Sequence, residues 1–265
     1  MPQAAAARPV TQPLLVELKG PVLSIGINRP HKRNALDDAT VLALEACFSA
    51  IPDGIRVAVI HGIGDHFSAG LDLSELTTRD VTEGVMHSRM WHRTFDRIQF
   101  APVPVVAALK GAVIGGGLEL ACACHIRVAE ASTFYALPEG QRGIFVGGGG
   151  SMRLPRLVGA ARMADMMLTG RTYRAEEGVA LGFSQYLVDE GQGLSTAFDL
   201  AAKIATNAPM TNFAVVQALP RIAEADPQTG LLMESLMAAV AQADGEAKTR
   251  IQDFLAKKAG KVRPA

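Results

Sequence analysis

Two short apolar runs, each opening into a glycine-containing loop, constrain this chain more than any other feature. Ile55 to Ile60 (IRVAVI) lies between Asp53-Gly54 and Gly62 and leads into HGIGDHFSAGLDL, while Pro102 to Leu109 (PVPVVAAL) leads into KGAVIGGGLEL. Such runs, apolar without alternation, fit strands buried on both faces of a parallel sheet. Parallel strands need right-handed crossovers, and both loops would leave the sheet at strand carboxyl ends, where open α/β sheets bind ligands.

The remaining pattern extends this alternation. Leu14 to Lys19 and Val22 to Asn28 predict a hairpin across Gly20-Pro21, and Asp37 or Asp38 can cap a helix that ends near Ile51-Pro52. A long helix is expected from Thr82 to Phe100, a further short strand within Val128 to Ala136, and a helix from about Ser151 after the glycine run 147–150. By strand alternation alone the expected architecture is a doubly wound parallel sheet. The boundaries we expect are a disordered leader over 1–12, an α/β core over 13–206 and a helical region over 207–265.

Composition narrows the function classes. Lys plus Arg and Asp plus Glu number 26 each, which removes the positive field that recruits nucleic acid. No apolar run approaches the roughly 18–20 residues of a membrane span, so we expect a cytoplasmic protein with no membrane partner. The three cysteines, Cys47, Cys122 and Cys124, read as buried reduced thiols, because Cys-x-Cys without a second pair is poor zinc spacing; no metal site is expected.

The chemistry gathers on the two loops. Gly115, Gly116 and Gly117 precede a helix, so their amides would sit at the positive end of its dipole and approach a ligand that a Cβ would obstruct. Two loops that each offer an amide to one oxygen would form an oxyanion hole. Glu119 follows in the first helical turn among Leu118, Leu120, Ala121 and Cys122, and Glu139 lies in the loop after Leu137-Pro138. A lone Glu at a helix start also has a simpler role, a dipole interaction of about 0.3–1 kcal/mol, and Glu139 by itself is an ordinary loop carboxylate. Facing one substrate, the pair could divide proton removal and delivery, with burial raising at least one pKa.

FSAGLDL, GGGLELA and LPEGQRGIFVGGGGSMRL, in that order and spacing, resemble the crotonase superfamily, the enoyl-CoA hydratase and isomerase family, from NRPHKRNAL through to FLAKK. The resemblance implies an α/β spiral of ββα units with two roughly perpendicular sheets, and a C-terminal helical trimerisation region that builds homotrimers or homohexamers. It also implies an oxyanion hole from the amides of Leu71 and Gly116, catalytic glutamates at Glu119 and Glu139, and a water-positioning amide at Gly147. An acyl-CoA thioester is the implied substrate, with no cofactor beyond the coenzyme A it carries. The CoA would lie against Lys32, Arg33, Ala35, Ser68, Ala69, Asp72 and Leu73, with Phe254 and Lys257 from a neighbouring subunit; Met86, Met90 and Trp91 are candidates for the acyl pocket.

The sequence departs from the family pattern at His125, where Asp is usual, and at Phe145 to Gly150, where a proline-containing segment is usual. Neither removes a catalytic group, and His125 reads as structural. Reversible hydration of a trans-2-enoyl-CoA to a 3-hydroxyacyl-CoA is the leading expectation. Its alternatives are double-bond isomerisation or another acyl-CoA reaction of the family on the same scaffold and, from a different class, a non-catalytic acyl-CoA-binding scaffold. A dinucleotide-binding dehydrogenase is disfavoured, because VIGGGLE has no partner acidic residue on a following strand at the right distance.

Overall fold

The computed structural model describes residues 12–75 and 79–256. It opens with an antiparallel hairpin, β1 (Leu14–Lys19) and β2 (Val22–Ile27), followed by α1 (Asp38–Ser49), β3 (Val57–Gly62) and α2 (Val81–Gln99). The Asp37 carboxylate caps α1 by accepting from the Thr40 amide at 2.8 Å. Asp80 and Glu83 close a reciprocal capping box on α2, which fixes where that helix starts. Two ββα units follow: β4 (Val105–Leu109), β5 (Ala112–Ile114) and α3 (Gly116–Ala123), then β6 (Ile126–Glu130), β7 (Phe134–Ala136) and α4 (Gly150–Val158). Next come α5 (Ala160–Thr169), β8 (Tyr173–Arg174), α6 (Ala175–Leu181), β9 (Tyr186–Val188) and α7 (Gly193–Ala205).

The main sheet has the order β1-β2-β3-β4-β6-β9, parallel from β2 onward. This order corrects the doubly wound expectation. A doubly wound sheet reverses direction at a switch point, whereas here each parallel strand is added on the same side of the last. Right-handed crossovers then all fall on one face, and the chain winds as a spiral. The second sheet, β5-β7-β8, lies within those crossovers, and Ser68 joins it through a parallel bridge to Val113. The strand expected within Val128 to Ala136 is therefore two strands in different sheets, separated by a turn in which the Thr133 amide donates to the Glu130 carbonyl at 2.9 Å.

Alternate residues of the central strands serve two cores. Ala58, Ile60, Val105, Ala107 and Leu109 face the main core with Leu44, Trp91, Phe95 and Leu118. Val57, Val59, Val106, Ala108 and Val128 face Ala197 and Ala201 of α7 on the other side. Burial on both faces explains the unbroken apolar runs of the sequence. His125, which the sequence marks as structural, accepts from the Val105 amide at Nδ1 (2.9 Å) and so donates from Nε2 to the Gln99 carbonyl (2.9 Å), tying α2 to β4.

Beyond α7 the described chain is helical. α8 (Pro209–Phe213) runs through a π-helical turn (Ala214–Ala218) into α9 (Leu219–Glu224), then α10 (Pro227–Ala243) and α11 (Gly245–Leu255). α10 leaves Leu231, Leu232, Leu236 and Val240 exposed. No helix among the described residues is long and apolar enough to cross a membrane. The 1–12 leader, apart from Gln12, lies outside the described residues.

Phe95 is fully buried and meets Trp91 edge-on, with ring centroids 5.5 Å apart. Phe95→Ala is expected to cost about 3–5 kcal/mol by the lost transfer energy and the residual cavity. Urea unfolding measures this; a loss below about 1 kcal/mol would contradict the packing described.

Candidate active site

The carboxyl ends of β3 and β4 feed the two glycine loops, as their sequence positions require. The loops approach so closely that side chains would block them. A Cβ on Gly70 would lie 2.5 Å from the Ile114 carbonyl oxygen and 3.0 Å from the Gly116 amide nitrogen. A Cβ on Gly116 would lie 3.3 Å from the Leu71 amide nitrogen and 2.7 Å from the Trp91 ring. The Leu71 and Gly116 amides are thus neighbours, and neither has an acceptor among the described residues. Gly115 precedes α3 at φ +51° and has no side chain to cap it, so the start of the helix keeps its orphan donors. Ser68 supports this arrangement from inside: its fully buried Oγ donates to the Asn34 carbonyl at 2.8 Å and accepts from the Gly70 amide at 3.1 Å.

Glu119 stands one helical turn beyond Gly116, on the same face of α3. Its Oε1 accepts two amides, Gly148 at 2.8 Å and Gly150 at 2.7 Å. These glycines also leave it room, because a Cβ on Gly150 would lie 2.7 Å from the Glu119 Cγ. Glu139 follows β7 and rests its Oε1 where a Cβ on Gly115 would stand, 2.5 Å away. Its Oε2 is buried with no hydrogen-bond partner among the described residues.

The two carboxylates, the two amides, Trp91, Ile144, Phe145, Val146, Gly147 and Gly148 line one cavity of about 430 Å³, with Arg79, Gly84, His87 and Ser88 completing the wall. Burial pushes the Glu119 carboxyl upward, while the amides of Gly150 and Gly148 and then Arg153 pull against it. Burial raises Glu139 to about 7, and the neighbouring Glu119 adds to the rise. Both are buried, at 4% and 7% exposure, so two ionised carboxylates would repel across a dry cavity. Two amides on one oxygen stabilise charge on Glu119, and the partnerless oxygen of Glu139 is the better place for a shared proton.

Several sequence candidates lie elsewhere. Met86 is exposed on a separate surface depression with Arg89 and His92, and Met90 packs against the core, so only Trp91 of the three lines the cavity. Helical geometry explains this: Gly84, His87, Ser88 and Trp91 stand at i, i+3, i+4 and i+7 on one face, and Met86 is rotated away. Gly147 lines the cavity, and its carbonyl accepts from Ser88 Oγ at 2.6 Å. Lys32, Arg33, Ala35, Ala69, Asp72 and Leu73 line a second groove of about 370 Å³ that shares Leu71 with the first. There Asp72, held well below the usual carboxylate range despite its burial by bonds from Lys32, Ser74 and Arg29, receives Lys32 Nζ at 2.7 Å and Arg29 Nη2 at 2.8 Å. Ser68 is behind this groove rather than in it. Phe254 is exposed on α11, and Lys257 lies outside the described residues. The described residues contain no cluster that could hold a metal ion.

Sequence reasoning missed Gly148, Gly150 and Arg153. The FVGGGG segment was visible as a departure from pattern, but nothing in it said where its amides would point. Arg153, almost fully buried, donates to the Gly148 carbonyl at 3.0 Å and to Gln99 Oε1 at 2.6 Å, and pairs with Asp96. It thereby fixes the peptide that holds Glu119.

A family model described as enoyl-CoA hydratase/isomerase matches residues 17–262, and the chain belongs to that family, within the crotonase superfamily. It is 33% identical over 247 residues to the 2,3-dehydroadipyl-CoA hydratase of Escherichia coli, covering 92% of this chain and 96% of the relative. It is 32% identical over 225 residues to the short-chain-enoyl-CoA hydratase of Clostridium acetobutylicum, covering 84% and 86%. A crystal structure from Rhodopseudomonas palustris, described provisionally as an enoyl-CoA hydratase, superposes with a TM-score of 0.91 at 69% identity, over 97% of this chain and 98% of that one.

Replacing Arg153 by Met is expected to lower turnover about tenfold to a hundredfold through misplacement of Glu119, with KM little changed and partial recovery in Arg153→Lys. Steady-state kinetics on protein with native circular dichroism tests this. Unchanged turnover would remove Arg153 from the support of Glu119.

Proposed function

We propose that the protein is an enoyl-CoA hydratase that adds water reversibly across the double bond of a trans-2-enoyl-CoA to give a 3-hydroxyacyl-CoA. The observation that carries this reading is the meeting on one cavity of two buried glutamates and two amides without an acceptor among the described residues. The family membership and the relatives named as hydratases support it. An isomerase shuttles a proton and needs one carboxylate; addition of water needs a base for the water and an acid for C2, and two carboxyls suit that demand.

In this reading the thioester oxygen accepts from the Leu71 and Gly116 amides, which stabilise the enolate as charge develops. Each such donor contributes about 3–4 kcal/mol to barrier lowering. Glu119, ionised and oriented by Gly148 and Gly150, draws a proton from the water that attacks C3, and Glu139 delivers its proton to C2. The product state then carries the proton on Glu119 and the charge on Glu139, so the pair holds one proton in both directions. The scheme calls on no metal or redox cofactor, and the coenzyme A arrives with the substrate along the Lys32–Leu73 groove. Exposed Leu231, Leu232, Leu236 and Val240 on α10 support assembly into a homotrimer or homohexamer; light scattering that gives a monomer at micromolar concentration would contradict it.

Loss of the enoyl-thioester ultraviolet band on incubation with crotonyl-CoA tests the activity. Glu119→Gln and Glu139→Gln are each expected to slow that loss at least about a hundredfold, within the range of general acid–base catalysis. Near wild-type rates in either folded variant would overturn the division of roles.

The pH dependence follows from the shared proton. With Glu139 raised to about 7, the upper limb of kcat/KM falls as pH rises through about 7, where the pair loses that proton. The lower limb falls where Glu119 also becomes protonated. Because both directions pass through the same singly protonated pair, hydration and dehydration should share one bell-shaped profile. Profiles limited on opposite sides of neutrality would contradict a shared transition state.

A further inference from the structure

The cavity that holds the two glutamates is also lined by Arg79, a cation that an alkyl chain does not require. Arg79 lies just ahead of α2, and its Nη2 meets Asp38 Oδ2 at 3.7 Å; His87 Nε2 meets Oδ1 of the same carboxylate at 2.7 Å. The Arg79 pair is long, and Arg79 makes no hydrogen bond to another described residue. A guanidinium carries five donors in a planar fork, and among the described residues only the long pair to Asp38 engages this one, which lies at the edge of a cavity with its side chain 21% exposed.

Its position can be measured against the chemistry. The Trp91 ring packs over Gly116, where the thioester oxygen is expected, and His87 precedes Trp91 by four residues on the same helical face. That is about one turn, roughly 6 Å along α2. Because Arg79 and His87 converge on one Asp38 carboxylate, the guanidinium lies near that level, within reach of a short acyl chain. Ile144, Phe145, Val146 and Trp91 give the same cavity apolar lining. A methyl end placed beside Arg79 would strip water from a cation and return no hydrogen bond, whereas a carboxylate would take the fork bidentately.

We propose that the acyl group this site is built for is a short trans-2-enoyl chain ending in a carboxylate, read by Arg79 as the specificity-determining residue. The inference rests on the hydratase reading for its chemistry and on Arg79 for its selectivity, and the two are separable.

The test compares two six-carbon trans-2-enoyl-CoA thioesters, one with a terminal carboxylate and one with a terminal methyl, on wild type and Arg79→Gln. Wild type is expected to favour the carboxylate at least about tenfold in kcat/KM, as a charge-assisted pair allows. Arg79→Gln should bring that ratio to about one or below. A wild-type preference for the methyl-ended substrate, or a ratio that Arg79→Gln leaves unchanged, would overturn the proposal. If wild type hydrates neither, the hydratase reading fails, and calorimetry with the saturated six-carbon pair still tests Arg79. Tighter binding of the carboxylate form that is lost in Arg79→Gln supports the inference, and equal affinities overturn it.

Discussion

The close approach of the loops after β3 and β4 is the contact on which the rest of the site depends. Ser68 bridges to Val113, and a Cβ on Gly117 would lie 2.5 Å from the Ser68 carbonyl oxygen. That contact is backbone against backbone, so it fixes the relative position of the Leu71 and Gly116 amides more tightly than side-chain packing could. The same contact starts α3 where it does, and α3 carries Glu119 one turn later. A single glycine-permitted crossing thus sets the two amides proposed as oxyanion donors and one of the two carboxyls together.

Two carboxylates beside those donors are electrostatically costly, and the surrounding structure divides the cost unequally. Glu119 receives the Gly148 and Gly150 amides, whose loop Arg153 clamps from behind. Glu139 receives no partner for Oε2 among the described residues. Unequal support separates the roles of two chemically identical side chains, so that one is the natural home of charge and the other of a proton. Arg79 and His87, which line the same cavity and meet Asp38 behind it, add a second asymmetry, and it is on this that the proposed selectivity rests.

Much of this was legible in the sequence where local pattern and burial agree. The hairpin, the capped α1, the long α2 and the apolar runs of β3 and β4 follow from alternation, caps and glycine boundaries. The spiral did not follow, because strand order is a long-range property and alternation of strands and helices fits either winding. Glu119 stood out because a carboxylate among Leu118, Leu120 and Ala121 needs a reason, and Glu139 gained significance only through the family resemblance. Met86 and Trp91 show the limit of spacing: both belong to α2, but which face of a helix meets a cavity depends on what packs against it. Arg153 and Arg79 were unreadable for the same reason, since an arginine that anchors a loop and one that borders a cavity look alike in a sequence.

The central claim is that this constellation adds water to carbon. Incubating the purified protein with crotonyl-CoA in oxygen-18 water and analysing the thioester by mass spectrometry tests it most directly. The account predicts one labelled oxygen, at C3 of a 3-hydroxyacyl-CoA. An unlabelled product, together with conversion of a 3-enoyl-CoA to its 2-enoyl isomer, would contradict it.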